Sequence, residues 1–230
     1  MAAFAAAVAL GYRYVETDAH ATSDGVAVAF HDDTLDRVTD GTGRIADLPW
    51  AQVSRARISG AEPVPRLDDL LATWPDLRVN IDVKSAAAIG PVVEAIERTA
   101  AHERVCVASF SDARRRAVQR ALSRPVATSA GTGTAARFRL AAAARRLRLV
   151  AGALSDVDGL QVPERSGRVA VVTAATVAAA HAVGRFVHVW TVNDADDMRR
   201  LLDLGVDGIV SDRADVLRDV LAERGEWFGA

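Results

Sequence analysis

The sequence predicts an α/β protein with a parallel sheet and helices outside it. Three observations lead to this class: apolar strand patterns alternate with helical patterns from residue 79 onward, two strands carry polar side chains on one face only, and 230 residues suffice for one domain with a sizeable core. The alternation gives seven strands, with a hairpin strand set aside, whereas a TIM-type (β/α)8 barrel has eight. We therefore predict such a barrel as a single domain over residues 1–230, with its first strand missing from this chain.

Periodicity and turn signals place the elements in order. Residues 1–10 predict an amphipathic or buried helix that ends at Gly11; this apolar start lacks the basic segment and cleavage region of a signal peptide. Residues 13–19 predict a strand, which Asp24-Gly25 joins in a hairpin to residues 26–30. Residues 35–49 predict a polar loop over the site rather than a core element. The later predicted elements are helices over 67–72, 88–101, 112–122, 135–148, 174–183, 195–204 and 214–224, and strands over 79–84, 105–110, 125–129, 159–162, 186–192 and 208–211.

Composition excludes several classes of protein. The formal net charge is −2, so no global basic field favours nucleic acid, and arginine runs at 114–116 and 145–146 predict solvated helix faces. The single cysteine, Cys106, excludes an internal disulfide framework and predicts a buried structural thiol. No apolar run reaches the ~18 residues of a membrane span. We predict a cytoplasmic protein without nucleic-acid partners; the oligomeric state is left open.

Two strands carry the candidate chemistry. Side chains two apart share a strand face, so Glu16 and Asp18 lie together, as do Asn80, Asp82 and Lys84. In one parallel sheet these carboxylates converge at the carboxyl ends of the strands, where they suit a hard divalent cation, Mg²⁺ or Ca²⁺. This pattern favours metal-assisted chemistry on a phosphate ester. The alternative is structural ion pairing with Lys84 or an arginine.

Histidine supplies the second candidate group. His31 follows the hairpin, and an imidazole with an unperturbed pKa near ~6.5 moves protons near neutral pH. The alternative is a structural histidine at the hairpin end whose hydrogen bonds are made within the protein. Asp32 is predicted to cap the neighbouring backbone or to orient the imidazole. Lys84 is either a counter-ion of Asp82 or a phosphate ligand. The remaining histidines are predicted to be structural, and the Gly131-Thr132-Gly133 segment a plain loop.

An ordered set of motifs covers nearly the whole chain and resembles the glycerophosphodiester phosphodiesterases. The motifs are Glu16-Thr17-Asp18, Asp24-Gly25-Val26, Phe30-His31-Asp32, Thr39-Asp40-Gly41-Thr42-Gly43, Pro65-Arg66-Leu67, Asn80-Ile81-Asp82-Val83-Lys84, Ser109-Phe110, Trp190-Thr191-Val192-Asn193 and Gly205-Val206-Asp207-Gly208-Ile209-Val210-Ser211-Asp212. The resemblance implies a TIM-type barrel that hydrolyses glycerophosphodiesters to sn-glycerol 3-phosphate and an alcohol with a bound divalent cation.

The resemblance also implies residue roles. The metal ligands would be Glu16, Asp18 and Asp82, although the family more often has glutamate at the last position. His31 would be one of two catalytic histidines, and Lys84 would hold phosphate charge. The substrate-binding residues would be Phe110, Trp190 and Asn193. Trp190 is alternatively core, and Asn193 could cap the following helix.

The chain departs from the family at its start. Family members begin with a strand ending in His-Arg-Gly, which carries a catalytic histidine and a phosphate-binding arginine, whereas this chain begins at the helix that follows. We expect the natural chain to extend upstream of Met1. Two alternatives stay open. The first is a catalytically impaired barrel that binds metal or phosphate, or a barrel whose missing strand a partner subunit supplies. The second is a relative that acts on lysophospholipids. The attacking group is a water or a neighbouring substrate hydroxyl.

Overall fold

The computed structural model describes residues 1–228 as alternating helices and strands. In chain order they are α1 (Ala2–Ala9), β1 (Tyr14–Ala21), β2 (Ala27–Ala29), α2 (Trp50–Val53), β3 (Arg57–Ile58), β4 (Glu62–Pro63), α3 (Leu67–Thr73), β5 (Arg78–Val83), α4 (Ile89–Arg98), β6 (Val105–Ala108), α5 (Asp112–Ala121), β7 (Ala127–Thr128), α6 (Thr132–Ala143), α7 (Leu147–Ala153), β8 (Gly159–Pro163), β9 (Arg165–Ser166), β10 (Val169–Ala170), α8 (Ala174–His181), β11 (Phe186–Trp190), α9 (Ala195–Asp203), β12 (Gly208–Ile209) and α10 (Ala214–Glu223). Short 3₁₀ helices lie at Ile45–Asp47 and His102–Arg104. No helix of residues 1–228 is both long enough and apolar enough to cross a bilayer.

The chain forms two compact units, Met1–Ala127 and a second that begins at Thr128. In the first unit the strand order is β2-β1-β5-β6, with β1, β5 and β6 parallel and β2 antiparallel to β1. In the second unit the order is β12-β11-β8, and all three strands are parallel. The predicted parallel pairing is confirmed within each unit, while the single domain over residues 1–230 stays a prediction.

The apolar face of β5 anchors the core of the first unit. Val79, Ile81 and Val83 are buried, as their period of two predicts, and they pack in one cluster with residues of α3 and α4. Helix α1 was predicted to be amphipathic or buried. None of its residues is buried, but Met1, Phe4 and Val8 pack against this cluster along one side. Both alternatives are therefore wrong: the helix is not buried, and it is not amphipathic, because its exposed side consists of apolar alanines.

The segment 35–49 was predicted to be a loop rather than a core element, and this is wrong in one respect. Leu35 and Ile45 are buried in a second apolar cluster with Val28, Phe30 and Val53. Leu48 and Trp50 pack against the same cluster. The segment is thus a folded subdomain with its own small core, because apolar residues spaced through a polar stretch can meet when the chain folds back on itself.

The continuous helix predicted over residues 135–148 is also wrong. Helix α6 ends at Ala143, and α7 starts at Leu147. Between them Arg145 adopts a positive φ of 52°, with its N–H bonded to the carbonyl of Ala142 and that of Arg146 to the carbonyl of Ala141. This is the Schellman pattern, in which glycine usually occupies the position that Arg145 holds. The alanine and arginine pattern gave no glycine to mark the helix end.

Replacing Arg145 by glycine should raise the free energy of unfolding by about 0.5–1 kcal/mol, because a side chain in the left-handed region costs about 1–2 kcal/mol and glycine's greater unfolded freedom offsets part of the gain. Urea unfolding of the purified chain measures the change. Arg145→Ala is the matched control, since it shortens the side chain but keeps Cβ. An alanine variant as stable as the glycine variant would contradict this account.

Candidate active site

Neighbouring parallel strands bring the predicted carboxylates together. In the register of β1 and β5, Glu16 lies opposite Asn80 and Asp18 opposite Asp82. Both aspartates are only 8 % exposed, whereas Glu16 is exposed. The alternation predicted from the sequence is confirmed, because each pair of side chains two apart lies on the same face of its strand.

Lys84 joins the two aspartates. Its Nζ lies 2.7 Å from Oδ1 of Asp18 and 2.7 Å from Oδ2 of Asp82, and its backbone N–H donates to the carbonyl of Ala19 on β1. Burial raises the pKa of Asp18 above its usual value, and the hydrogen bond from Lys84 offsets this only in part. Burial would lower the pKa of Lys84, but the hydrogen bonds to both aspartates outweigh it and raise that pKa. The ammonium is therefore firmly protonated at neutral pH.

Two buried oxygens on β5 have no hydrogen-bond partner. They are Oδ1 of Asp82 and Oδ1 of Asn80, which lie on the same face of the strand. A buried carboxylate oxygen without a partner costs free energy, and such atoms are uncommon in folded proteins. Both oxygens are of the hard type that Mg²⁺ and Ca²⁺ prefer. Within residues 1–228, no three His, Cys, Asp or Glu side chains are grouped as ligands of one ion.

His31 faces this pair of aspartates. It follows β2, and the N–H of Phe30 donates to the carbonyl of Asp18, which fixes the strand that delivers the imidazole. Nε2 of His31 lies 3.9 Å from Oδ2 of Asp18. The ring is 77 % exposed, so the substrate side of the imidazole is open. His20, predicted to be structural, is buried and contacts the backbone carbonyl of His31 at 3.2 Å.

Asp32 orients the imidazole, one of the two roles predicted for it. Its Oδ1 lies 2.6 Å from Nδ1 of His31, and Arg37 donates Nε and Nη2 to its two oxygens at 2.6 and 2.8 Å. Hydrogen bonds from Arg37 and then from His31 hold the pKa of Asp32 well below its usual range. An ionised carboxylate only accepts hydrogen bonds, so Nδ1 carries the proton and Nε2 faces outward as the base or acid.

Phe110 lies at the same site. The Nζ of Lys84 is 5.3 Å from the centre of its ring, in cation–π range, and the ring is 56 % exposed. The preceding Ser109 donates its hydroxyl to the carbonyl of Val83, and Arg114 donates to the same carbonyl. The predicted strand ends earlier than expected, at Ala108, and this frees Phe110 to cover Lys84.

Trp190 and Asn193 belong to the second unit. Trp190 ends β11 and lies opposite Pro163 in the register. The alternative that Asn193 caps the next helix is wrong, because the cap of α9 is Asp194, whose carboxylate accepts from two backbone N–H groups. Asn193 instead joins the loop after β12: its amide donates to Asp212, and its Oδ1 accepts from Ser211. The roles predicted for both residues in substrate binding stay predictions.

The sequence analysis missed two features of the site. Arg37 was not singled out, although it makes two hydrogen bonds to Asp32; its spacing of five residues from Asp32 gives no periodic signal. Lys84 is also the only lysine among 28 basic residues. An ammonium is a compact charge that fits between two carboxylates, whereas a planar guanidinium does not replace it there. The rarity of this residue type was a signal available from composition alone.

The chain is similar to known proteins throughout its length. The sequence model of the glycerophosphoryl diester phosphodiesterase family matches residues 1–216. A Mycobacterium tuberculosis protein named "Probable glycerophosphodiester phosphodiesterase 2" is 48 % identical over 230 residues, which cover 100 % of this chain and 87 % of that protein.

Solved structures agree. A crystal structure from Silicibacter pomeroyi matches with a TM-score of 0.79 and 24 % identity over 97 % of this chain and 88 % of that one. An Oleispira antarctica phosphodiesterase, solved in complex with the product sn-glycerol-3-phosphate, matches with a TM-score of 0.76 and 22 % identity over 96 % and 89 % of the two chains. These likenesses confirm the predicted fold class, α/β of the TIM-barrel type. This chain belongs to the glycerophosphoryl diester phosphodiesterase family, a family of phosphoric diester hydrolases.

Proposed function

We propose that this chain hydrolyses glycerophosphodiesters to sn-glycerol 3-phosphate and an alcohol at the site of β1, β5 and His31, with Glu16, Asp18 and Asp82 holding a divalent cation. One observation carries this proposal. Asp18 and Asp82 lie opposite each other on parallel strands, both buried and bridged by a single ammonium, with one carboxylate oxygen left unpartnered. The family membership and the product bound to the Oleispira neighbour support the reaction.

The charge of the cluster favours a bound cation. Two buried carboxylates share one ammonium, so one negative charge in the cluster lacks a partner within it. Unpaired buried charge is costly, and the raised pKa of Asp18 is its signature. A divalent cation at the free oxygen of Asp82 would compensate this unpaired negative charge. Glu16 lies two residues before Asp18 on the same face and adds a third, exposed carboxylate. The oxygen donors suit Mg²⁺ or Ca²⁺.

Several side chains of the site have distinct roles beside the cation. A bound cation supplies Lewis-acid stabilisation of charge on the phosphate oxygens. Lys84 adds a fixed positive charge beside the same position, held in place by both aspartates. His31 holds or donates a proton at Nε2, while Asp32 and Arg37 fix its ring and tautomer. Phe110 lies beside the ammonium of Lys84, with its ring centre 5.3 Å from Nζ.

The structure favours glycerophosphodiesters over lysophospholipids as substrate. A lipid substrate requires an exposed apolar surface beside the site, and segment 35–49 with Trp50 was the candidate. Ile45 is fully buried, and Leu48 and Trp50 pack against the same small core. These side chains therefore contribute to the core of the segment, and none of the three is fully exposed.

Binding of Mg²⁺ or Ca²⁺ should raise the free energy of unfolding, by about 2.7 kcal/mol when the cation is present at 100 times its dissociation constant. Asp18→Asn and Glu16→Ala should each reduce this gain, and both should lower activity. Thermal unfolding with and without chelator measures it. Asp33→Asn is the matched control, since Asp33 is an exposed carboxylate whose contact is Arg44 at 3.8 Å. A wild-type chain that no cation stabilises would refute the metal site.

Replacing His31 by alanine should lower kcat for glycerophosphoethanolamine by about 10²–10⁴-fold, the usual contribution of a general acid or base. Asp32→Asn should lower kcat less, because it weakens the hydrogen bond that orients the His31 imidazole but leaves the imidazole in place. Release of sn-glycerol 3-phosphate is the readout. His181→Ala is the control, since His181 is exposed and paired with Asp207 in the second unit. Full activity of the His31 variant would remove this histidine from the mechanism.

Lys84→Met should lower the free energy of unfolding by about 3 kcal/mol at pH 7 in chelator, because it leaves two buried carboxylates without their shared ammonium. The loss should shrink toward pH 5. The raised pKa of Asp18 rises further without Lys84, so the variant gains stability as the pH falls and this carboxylate takes up a proton. Urea unfolding at the two pH values measures both effects. A loss that is independent of pH would contradict the ionic account.

A further inference from the structure

The arginines of this protein are unevenly distributed along its sequence. Residues 113–155 contain ten arginines and no aspartate or glutamate, although the chain has 30 acidic residues. One of the ten, Arg115, is fully buried, so the prediction of a solvated helix face at 114–116 is wrong for this residue. Five of these arginines lie in the second unit between residues 137 and 149, on α6, α7 and the turn between them. This stretch is called the basic hairpin below.

The basic hairpin also exposes large apolar side chains. Leu140 is 70 % exposed, Leu147 53 % and Leu149 52 %. They are three of the seven large apolar residues exposed among residues 1–228. The exposed side of α6 is otherwise small, with Ala136, Ala143 and Ala144 beside Leu140 at helical spacing. Exposed leucines grouped with arginines in one short hairpin mark an interaction surface.

The charges of the hairpin are not neutralised by the described part of the chain. No carboxylate of residues 1–228 pairs with Arg145, Arg146 or Arg148, all of which are exposed. Arginines elsewhere in the same unit behave differently: Arg199 and Arg200 each bind two carboxylates, and Arg213, Arg218 and Arg224 are also paired. The hairpin therefore presents positive charge to an external partner.

The turn carries this charge at the expense of backbone strain. Arg145 occupies the left-handed position that favours glycine, with its side chain in solvent. The arrangement places Arg145, Arg146 and Arg148 in a row between the exposed leucines on either side of the turn. Charge and apolar surface therefore alternate within ten residues.

We propose that the basic hairpin docks this protein onto the surface of an anionic phospholipid bilayer. Guanidinium groups would bind lipid phosphates, while the exposed side chains of Leu140, Leu147 and Leu149 would contact the boundary between headgroups and acyl chains on either side of the turn. Nucleic acid fits less well, since the hairpin's one aromatic residue, Phe138, is buried and cannot stack on bases. An acidic protein would pair the arginines but would not require leucines interleaved with them.

Co-sedimentation with vesicles tests the proposal. The chain should bind vesicles of phosphatidylglycerol and phosphatidylcholine, bind phosphatidylcholine vesicles far more weakly, and dissociate as salt is raised. R145Q/R146Q/R148Q should weaken binding about 100-fold, since each arginine near an anionic surface contributes about fivefold and the three contributions multiply. L147S/L149S should weaken it about tenfold or more, which charge alone does not explain.

The matched control is R13Q/R55Q/R168Q. These three arginines are exposed and form no ion pair within residues 1–228, so the control removes the same charge from other surfaces. Its affinity should stay within about threefold of wild type, and hydrolysis of glycerophosphoethanolamine in solution should be unchanged in all three variants. Three results would overturn the proposal: no binding to anionic vesicles, an equal loss in the control, or an unchanged affinity in L147S/L149S. Binding to duplex DNA without binding to vesicles would do so too.

Discussion

The contact of one ammonium with two aspartates on neighbouring strands is the interaction on which the first unit depends. It lies where β1 and β5 run parallel with Asp18 opposite Asp82, so it ties the strand pair together at the end where the polar face emerges. The opposite face of β5 is buried in the core. The same two strands thus supply an apolar face for stability and a charged face for chemistry. A shift of one residue in their register would turn the charged side chains into the apolar core and remove Val79, Ile81 and Val83 from it.

This contact also accounts for the presence of a lysine at this position. All other basic side chains of this protein are arginines, which suit paired, planar contacts such as those of Arg37 with Asp32. Between two carboxylates on adjacent strands, a point charge with three donors makes both contacts and keeps a donor for a third group. The phosphate contact proposed for Lys84 would use this third donor and leave both aspartate contacts in place. A guanidinium in its place would bind one carboxylate in bidentate fashion and leave the other unpaired.

Sequence reasoning was most successful where a period is short and local. The period of two in residues 79–84 predicted that Val79, Ile81 and Val83 lie in the core, and Asp24-Gly25 predicted the hairpin that precedes His31. The predictions were wrong where the structure depends on contacts or conformations that leave no pattern in the sequence. The small core of segment 35–49 depends on Val28 and Val53, which lie outside the segment, and the break at Arg145 lacks the glycine that usually marks it. Arg37 was missed because its contact with Asp32 has no periodic spacing, whereas the helix cap Asp194 was missed although an aspartate directly before a predicted helix is a local capping signal.

Net charge was the least informative property of the sequence, because it sums a basic segment and an acidic remainder of the chain. From the formal charge of −2, the chain was predicted to have no global basic field that favours nucleic acid. Yet residues 113–155 hold ten arginines without an acidic residue, and the rest of the chain holds 18 basic and all 30 acidic side chains. Electrostatic attraction acts over about 8–10 Å at physiological salt, so a partner at one surface responds to the charges there and not to the total. The acidic residues elsewhere in the chain make the net charge slightly negative, but within residues 1–228 they do not pair with the arginines of the basic hairpin. The local charge at α6 and α7 is therefore positive.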